Sequence, residues 1–182
     1  MKRIGTYLWV VFATLMIMSC VEEQDFDQYE DLSVTPTYEA SILYLEVPER
    51  SINQLTGTNV YSRDFNFDAF SEDVFSKRVI DGVLTYEVEN TTSKPLEVKI
   101  QFLDEAGTVL DTEQFVLGPE PTAVLINETY YGPYGEDINI IKNTSSIFVT
   151  ATNLGDTLST SSQANPMVTL KSSAKFKVRI KE

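Results

Sequence analysis

Between residues 84 and 102 the side chains alternate strictly in character. Leu84, Tyr86 and Val88 alternate with Thr85, Glu87 and Glu89; then Leu96, Val98, Ile100 and Phe102 alternate with Glu97, Lys99 and Gln101. A period of two sends successive side chains to opposite faces of a strand, so each run has one dry face and one wet face. A helix, with its longer repeat, would scatter these apolar positions around its circumference. Residues 90–94 and Asp104-Glu105-Ala106-Gly107 are rich in turn formers, and residues 109–117 return as a third run. The expectation is an antiparallel meander over residues 84–117 with one buried face. Gly118-Pro119-Glu120-Pro121 ends it, because proline cannot donate to a central ladder.

The rest of the chain keeps the same grain. Residues 38–47 (YEASILYLEV) are rich in β-formers and predict a strand, and 48–55 predict a helical turn opened by Pro48. Residues 63–67 alternate as a half-buried strand, and 71–77 suit a short helix with Ser71 as N-cap. Asp64-x-Asn66-x-Asp68 has the opening spacing of a calcium loop, but Ala69 stands where the glycine is needed and Phe75 where the closing glutamate is needed. It reads as the wet face of a strand. Residues 123–127 predict a short strand, 129–137 a loop, 137–142 a helical turn and 146–152 a strand. The loop 129–137 (TYYGPYGED) holds Tyr130, Tyr131 and Tyr134, which are candidate contacts for a partner or, equally, rim packing. Residues 154–166 are Ser- and Thr-rich and predict a long exposed loop. Two strands, 167–170 and 174–180, close the reading. The lysines of the second suit an edge strand that must discourage further pairing.

The first twenty residues are different. Lys2 and Arg3 precede an apolar run, residues 4–18, and the small Ser19 stands directly before Cys20. A positive start, a short apolar run and a small residue at a cut site describe a secretory signal. The run is shorter than the about 20 residues a membrane span needs. This pattern resembles the lipobox of bacterial lipoproteins. The resemblance implies cleavage before Cys20 and lipidation of Cys20. Cys20 is the only cysteine, so no intrachain disulfide can form. Glu22, Glu23, Asp25, Asp27, Glu30 and Asp31 follow with no basic residue among them, which predicts an extended acidic tether. Cys20-Val21-Glu22-Glu23 also resembles the acidic export signal of Bacteroidota-type surface lipoproteins, which implies that Glu22 and Glu23 direct the protein outward. In the same group, an acid, a hydroxyl residue and an aliphatic residue mark O-glycosylation. Asp156-Thr157-Leu158 fits that pattern and implies a sugar on Thr157.

Cleavage after residue 19 would leave 163 of the 182 residues. Of the 14 basic residues, Lys2 and Arg3 go with the signal, leaving 12 against 27 acids and a net charge of −15. Such a surface repels phosphate backbones, so nucleic acid is not an expected partner. There is no histidine, which excludes His-dependent triads and His-ligated zinc. No catalytic set, cofactor or metal is expected. The chain divides into a signal peptide (1–19), a lipidated cysteine with its tether (20–36) and one domain (37–182). The domain is all-β: an antiparallel sandwich, immunoglobulin-like or fibronectin-like, of about seven to nine strands with one or two short helical turns. The expected function is a non-enzymatic binding or accessory module, anchored by lipid to the outer membrane and facing the exterior or, alternatively, the periplasm. Its partner would be an envelope protein or glycan. The alternatives are a carboxylate-dependent glycan-active enzyme, which needs two acids about 5–10 Å apart, and a fimbrial or assembly subunit.

Overall fold

The structure, a computed structural model, describes residues 33–55, 59–120 and 124–180. The expected signal peptide, Cys20, Glu22, Glu23 and most of the expected acidic tether lie outside the described residues. Among the described residues, eight strands form two four-stranded antiparallel sheets: β1 (Thr37–Pro48), β2 (Asn59–Asn66), β3 (Val79–Asn90), β4 (Leu96–Leu103), β5 (Val109–Leu117), β6 (Leu125–Tyr131), β7 (Ser146–Asn153) and β8 (Met167–Val178). Four short helices join them: α1 (Glu49–Asn53), α2 (Asp68–Ser71), α3 (Asp73–Ser76) and α4 (Ile138–Asn143).

The strand orders are β1-β8-β3-β6 and β2-β7-β4-β5. The chain therefore doubles back on itself, first strand against last and inward to β4 against β5, and the doubled ribbon is rolled so that β3–β8 and β4–β7 also pair. That is the connectivity of a jelly roll. The all-β antiparallel sandwich expected from the sequence is present. The immunoglobulin-like or fibronectin-like path through it is replaced by this rolled one.

The alternation behaves as read: Leu84, Tyr86, Val88, Leu96, Val98, Ile100 and Phe102 all lie in the core between the sheets. The meander does not form. β3 and β4 belong to different sheets, so residues 91–95 turn a corner rather than a hairpin. The reason lies in where the backbone bonds go. Thr91 N–H donates to Met167 O (2.9 Å), and Glu120 N–H donates to Thr92 O (2.8 Å). Asn90 Nδ2 donates to Lys94 O and to Gly118 O, each at 2.7 Å. The corner is thus held by neighbouring loops, and Asn90, Thr92 and Lys94 are fully buried in it. The hairpin expected between residues 96 and 117 does form, as β4–β5.

β8 is one continuous strand, and it is central rather than at an edge, because β1 and β3 flank it. Its lysines point outward along the sheet face, while Val168, Leu170, Ala174 and Phe176 point into the core. Edge protection comes from other residues. On the edge strands of the second sheet, Arg63 of β2 pairs in register with Val149, and Asp111 and Glu113 of β5 with Phe102 and Ile100. These charges therefore point to the side where the sheets meet, which discourages edge-to-edge pairing.

The helix expected over 71–77 is split. α2 ends at Ser71, and Glu72, in extended conformation, is the N-cap of α3 with no side-chain cap bond. The break lets both Phe70 and Phe75 turn inward, their ring centroids 5.3 Å apart and 5.3 and 5.0 Å from Phe176. α4 starts as expected, with the Asp137 carboxylate accepting Asn139 N–H at 2.9 Å.

Candidate binding face and the tethered loop

The register of the first sheet aligns its outward side chains in rows across four strands. One row is Ser41, Ser173, Thr85 and Glu128; the next is Glu39, Lys175, Val83 and Tyr130. Most central members of these rows are small. The row beyond, Tyr44, Lys171, Glu87 and Ile126, is built of long side chains. The result is an open trough of about 580 Å³ on the outer face, floored by Ser41, Ser173, Thr85 and Val83 and bordered by Glu39, Lys175, Glu128 and Tyr130.

The charges around the trough are internally matched. Lys175 pairs with Glu39, and this hydrogen bond holds its ammonium above the usual lysine range. Lys171 pairs with Glu87 at 2.7 Å. The Tyr130 hydroxyl donates to Glu128 at 2.8 Å; that bond, with the carboxylate charge, raises the phenol above its usual range. Tyr130 is 52% exposed, with its hydroxyl end fixed by Glu128.

The three candidate tyrosines separate. Tyr130 and Tyr131 are in β6 rather than in a loop, and strand alternation sends them to opposite faces. Tyr131 is 2% exposed, and its hydroxyl donates to Asp111 Oδ2 at 3.0 Å, so it is a core residue and not a partner contact. Tyr134 is 98% exposed in the turn after β6. That turn is closed by Gly132 N–H to Glu136 O (2.8 Å) and Glu136 N–H to Tyr130 O (2.7 Å). Asp111 and Glu113 meet the first sheet at the β5–β6 seam, where Thr129 donates to Glu113. Burial, with these two acids nearby, pushes the Tyr86 and Tyr131 hydroxyls far up.

The loop 154–166 is not the free loop the sequence suggested. Lys94, with no exposed side-chain surface, donates from Nζ to Asp156 Oδ1 (2.8 Å) and to Ser159 O (2.7 Å). Asp156 also accepts the N–H groups of Leu158 and Ser159, each at 2.7 Å. The bond from Lys94 is the chief reason its carboxyl sits well below the usual carboxylate range. Further along, buried Glu49 accepts Ser93 N–H at 2.6 Å and Ser161 N–H at 2.9 Å. Burial pushes the Glu49 carboxyl up, but hydrogen bonds from Ser93 and Ser161 and the charge of Lys94 outweigh it, and the net position is below the ordinary glutamate value. Ser161 Oγ donates to Thr91 O (2.8 Å), and Ser162 N–H to Glu120 Oε1 (2.7 Å). α1 and this loop border a second open pocket of about 700 Å³, lined by Glu49, Arg50, Asn53, Thr160, Ser161 and Met167 among others. Thr157 is exposed on the loop, with Leu158 beside it 88% exposed. Sequence reasoning missed Lys94 and Glu49, because each stands in a polar stretch with no apolar periodicity to betray burial.

Asp64-x-Asn66-x-Asp68 braces a turn. Asn66 Oδ1 accepts Asp68 N–H (2.9 Å), and Ser145 Oγ donates to Asp68 Oδ1 (3.0 Å). Among the described residues, no group of three or more His, Cys, Asp or Glu side chains is arranged to hold a metal ion, and no helix is long and apolar enough to cross a membrane.

No family model matches this chain, and no curated protein matches it. Solved structures that align with this chain include a subviral particle of infectious bursal disease virus VP2, at 15% identity and a TM-score of 0.34, covering 84% of this chain and 34% of that one. This chain thus spans about a third of that protein's length. Desmodium yellow mottle tymovirus aligns at 7% identity and a TM-score of 0.39, covering 83% of this chain and 90% of its own. Bacillus endospore appendages, described as disulfide-linked pili, align at 9% identity and a TM-score of 0.39, covering 82% and 92%. None of these likenesses carries a family or an activity to this chain.

Proposed function

We propose that this chain is a lipid-anchored cell-envelope protein, a non-enzymatic binding module held on the outer membrane through Cys20 and facing the exterior. The lipobox-like start and the acidic stretch after Cys20 support the anchor and its direction. The observation that carries the binding role is the trough across β1, β8, β3 and β6. Its two acids are engaged, Glu39 by Lys175 and Glu128 by Tyr130, which favours holding a ligand over transferring a proton.

Fractionation of the native host tests the reading. The parent protein partitions with detergent and is cut by external protease. Cys20→Ser is released or left as an uncut precursor. Replacing Glu22 and Glu23 with alanine keeps the lipid but lowers protease access. Unchanged partitioning of Cys20→Ser overturns the anchor, and equal access in the Glu22 and Glu23 variant overturns their part in export.

A further inference from the structure

We infer that the trough takes a neutral, hydroxyl-rich glycan, an inference that rests on the trough being the binding face. Three features of the face select this class. The first is the row of Ser41, Ser173 and Thr85, three hydroxyls in register on adjacent strands and closed by the carboxylate of Glu128. Neighbouring strands stand about 4.8 Å apart, so these groups form a ladder across the sheet. Each hydroxyl both donates and accepts, which suits a ligand whose own groups do both.

The second is Tyr130. It stands at the trough's border, half exposed, with its hydroxyl fixed on Glu128 at 2.8 Å. A fixed aromatic ring offers contact area at little entropic cost and packs against the C–H face of a sugar. The third is charge. Lys175 is already paired with Glu39, and Glu128 adds a further carboxylate, so an anionic ligand meets repulsion with no unpaired cation among the trough's lining residues to offset it.

A peptide fits this face less well. Strand addition uses an open edge, which this sheet has only along the outer sides of β1 and β6, whereas the middle of the trough lies over β8 and β3, which are paired on both sides. A protein partner also needs a buried apolar anchor, and the trough offers Val83 and Tyr130 with little else of that kind. The volume of about 580 Å³ is within the usual range for small ligands, roughly 300–1,000 Å³.

The test uses the full mature chain in detergent. It is titrated calorimetrically with neutral oligosaccharides of several linkages and with uronic-acid oligosaccharides of matched length, beside three variants. Ser173→Trp fills the floor from the solvent side, Tyr130→Ala removes the platform, and Leu158→Ala is a distant exposed control. Melting curves establish that each variant is folded. The expected result is binding of at least one neutral glycan, loss of that binding in Ser173→Trp, a drop of roughly tenfold or more in Tyr130→Ala, and no change in Leu158→Ala. Uronic oligosaccharides bind more weakly than their neutral counterparts. Binding that is indifferent to Ser173→Trp, or a preference for the uronic series, overturns the inference. A parallel capture from the host's envelope fraction separates the two levels. If no glycan binds but Ser173→Trp abolishes capture of an envelope protein, the glycan falls and the binding face stands. If Ser173→Trp changes neither arm, the binding face falls with it.

Discussion

Lys94 is buried to its last atom, yet its ammonium meets Asp156, whose side chain is 59% exposed, at 2.8 Å. The corner between the two sheets therefore reaches out through one lysine and holds the loop that covers it. The two ends of this pair are unequal in risk. Removing Asp156 takes away the ion-pair partner of a fully buried ammonium and the acceptor of the Leu158 and Ser159 N–H groups, whereas removing the charge of Lys94 leaves Asp156 facing water and takes from buried Glu49 a charge that helps keep it ionised.

Asp156→Ala and Lys94→Met are both expected to destabilise the fold, Asp156→Ala the more, because it leaves a buried ammonium without its ion-pair partner. Urea unfolding of the two variants beside the parent gives the order directly. The reverse order would mean that the lysine acts through packing rather than charge.

Acid should loosen the same end of the molecule. The folded-state positions of Asp156 and Glu49 are both depressed. Their stabilisation is therefore fully present above the unfolded values, about 3.9 and 4.3, and is lost as pH falls through the lower folded ones. Urea midpoints measured downward from pH 7 should hold steady to about pH 5 and then fall. Glu49→Gln should make that fall shallower. A fall of equal steepness in parent and variant would remove Glu49 from the account.

The parity of β4 can be tested residue by residue. Ile100 and Phe102 have almost no exposure, so truncation of either to alanine is expected to cost about 2–5 kcal/mol. Glu97, which accepts from Gln114 at 2.7 Å on the exposed face, should change stability by no more than about 0.5 kcal/mol when replaced by alanine. Denaturant melts that find both parities equally sensitive would contradict the register.

Gly82 is a packing requirement. A Cβ there would lie 2.4 Å from Cδ1 of Phe176, and that ring is wedged against Phe70 and Phe75. Gly82→Ala is expected to cost about 1–3 kcal/mol by overpacking and to change the aromatic near-ultraviolet dichroism. An unchanged spectrum and melting point would show that the ring cluster can move aside freely.

Thr157 is exposed, as a modifying enzyme would require. The expected outcome for protein from the native host is an intact mass above that of the peptide, with the excess lost in Thr157→Ala. Masses that differ only by the substitution would dispose of the sugar.

What could be read in the sequence was whatever is periodic. Strands such as β4 and β7 announce themselves because one face is dry and the other wet. Sheet membership was not legible: the alternation of β3 and β4 is the same whether the link between them is a hairpin or a corner. What decides is the set of bonds Asn90, Thr91 and Thr92 make to residues far along the chain. The lysines of β8 misled for a related reason. On a central strand with a solvated face they look just as they would at an edge. The trough escaped notice because its floor is drawn from Ser41, Thr85 and Ser173, which become neighbours only in the folded sheet.

The place of β8 has a kinetic consequence. Thr37 pairs with Lys177, so the first and last strands of the described fold are partners, and β8 also separates β1 from β3. Until residues 167–178 arrive, β1 and β3 have nothing between them, and the first sheet lacks its middle. Contacts of such long sequence separation make a fold slow to form. A chain whose last strand is its keystone stays open until that strand has been delivered, and a substitution that weakens β8 should show first in how fast the protein folds.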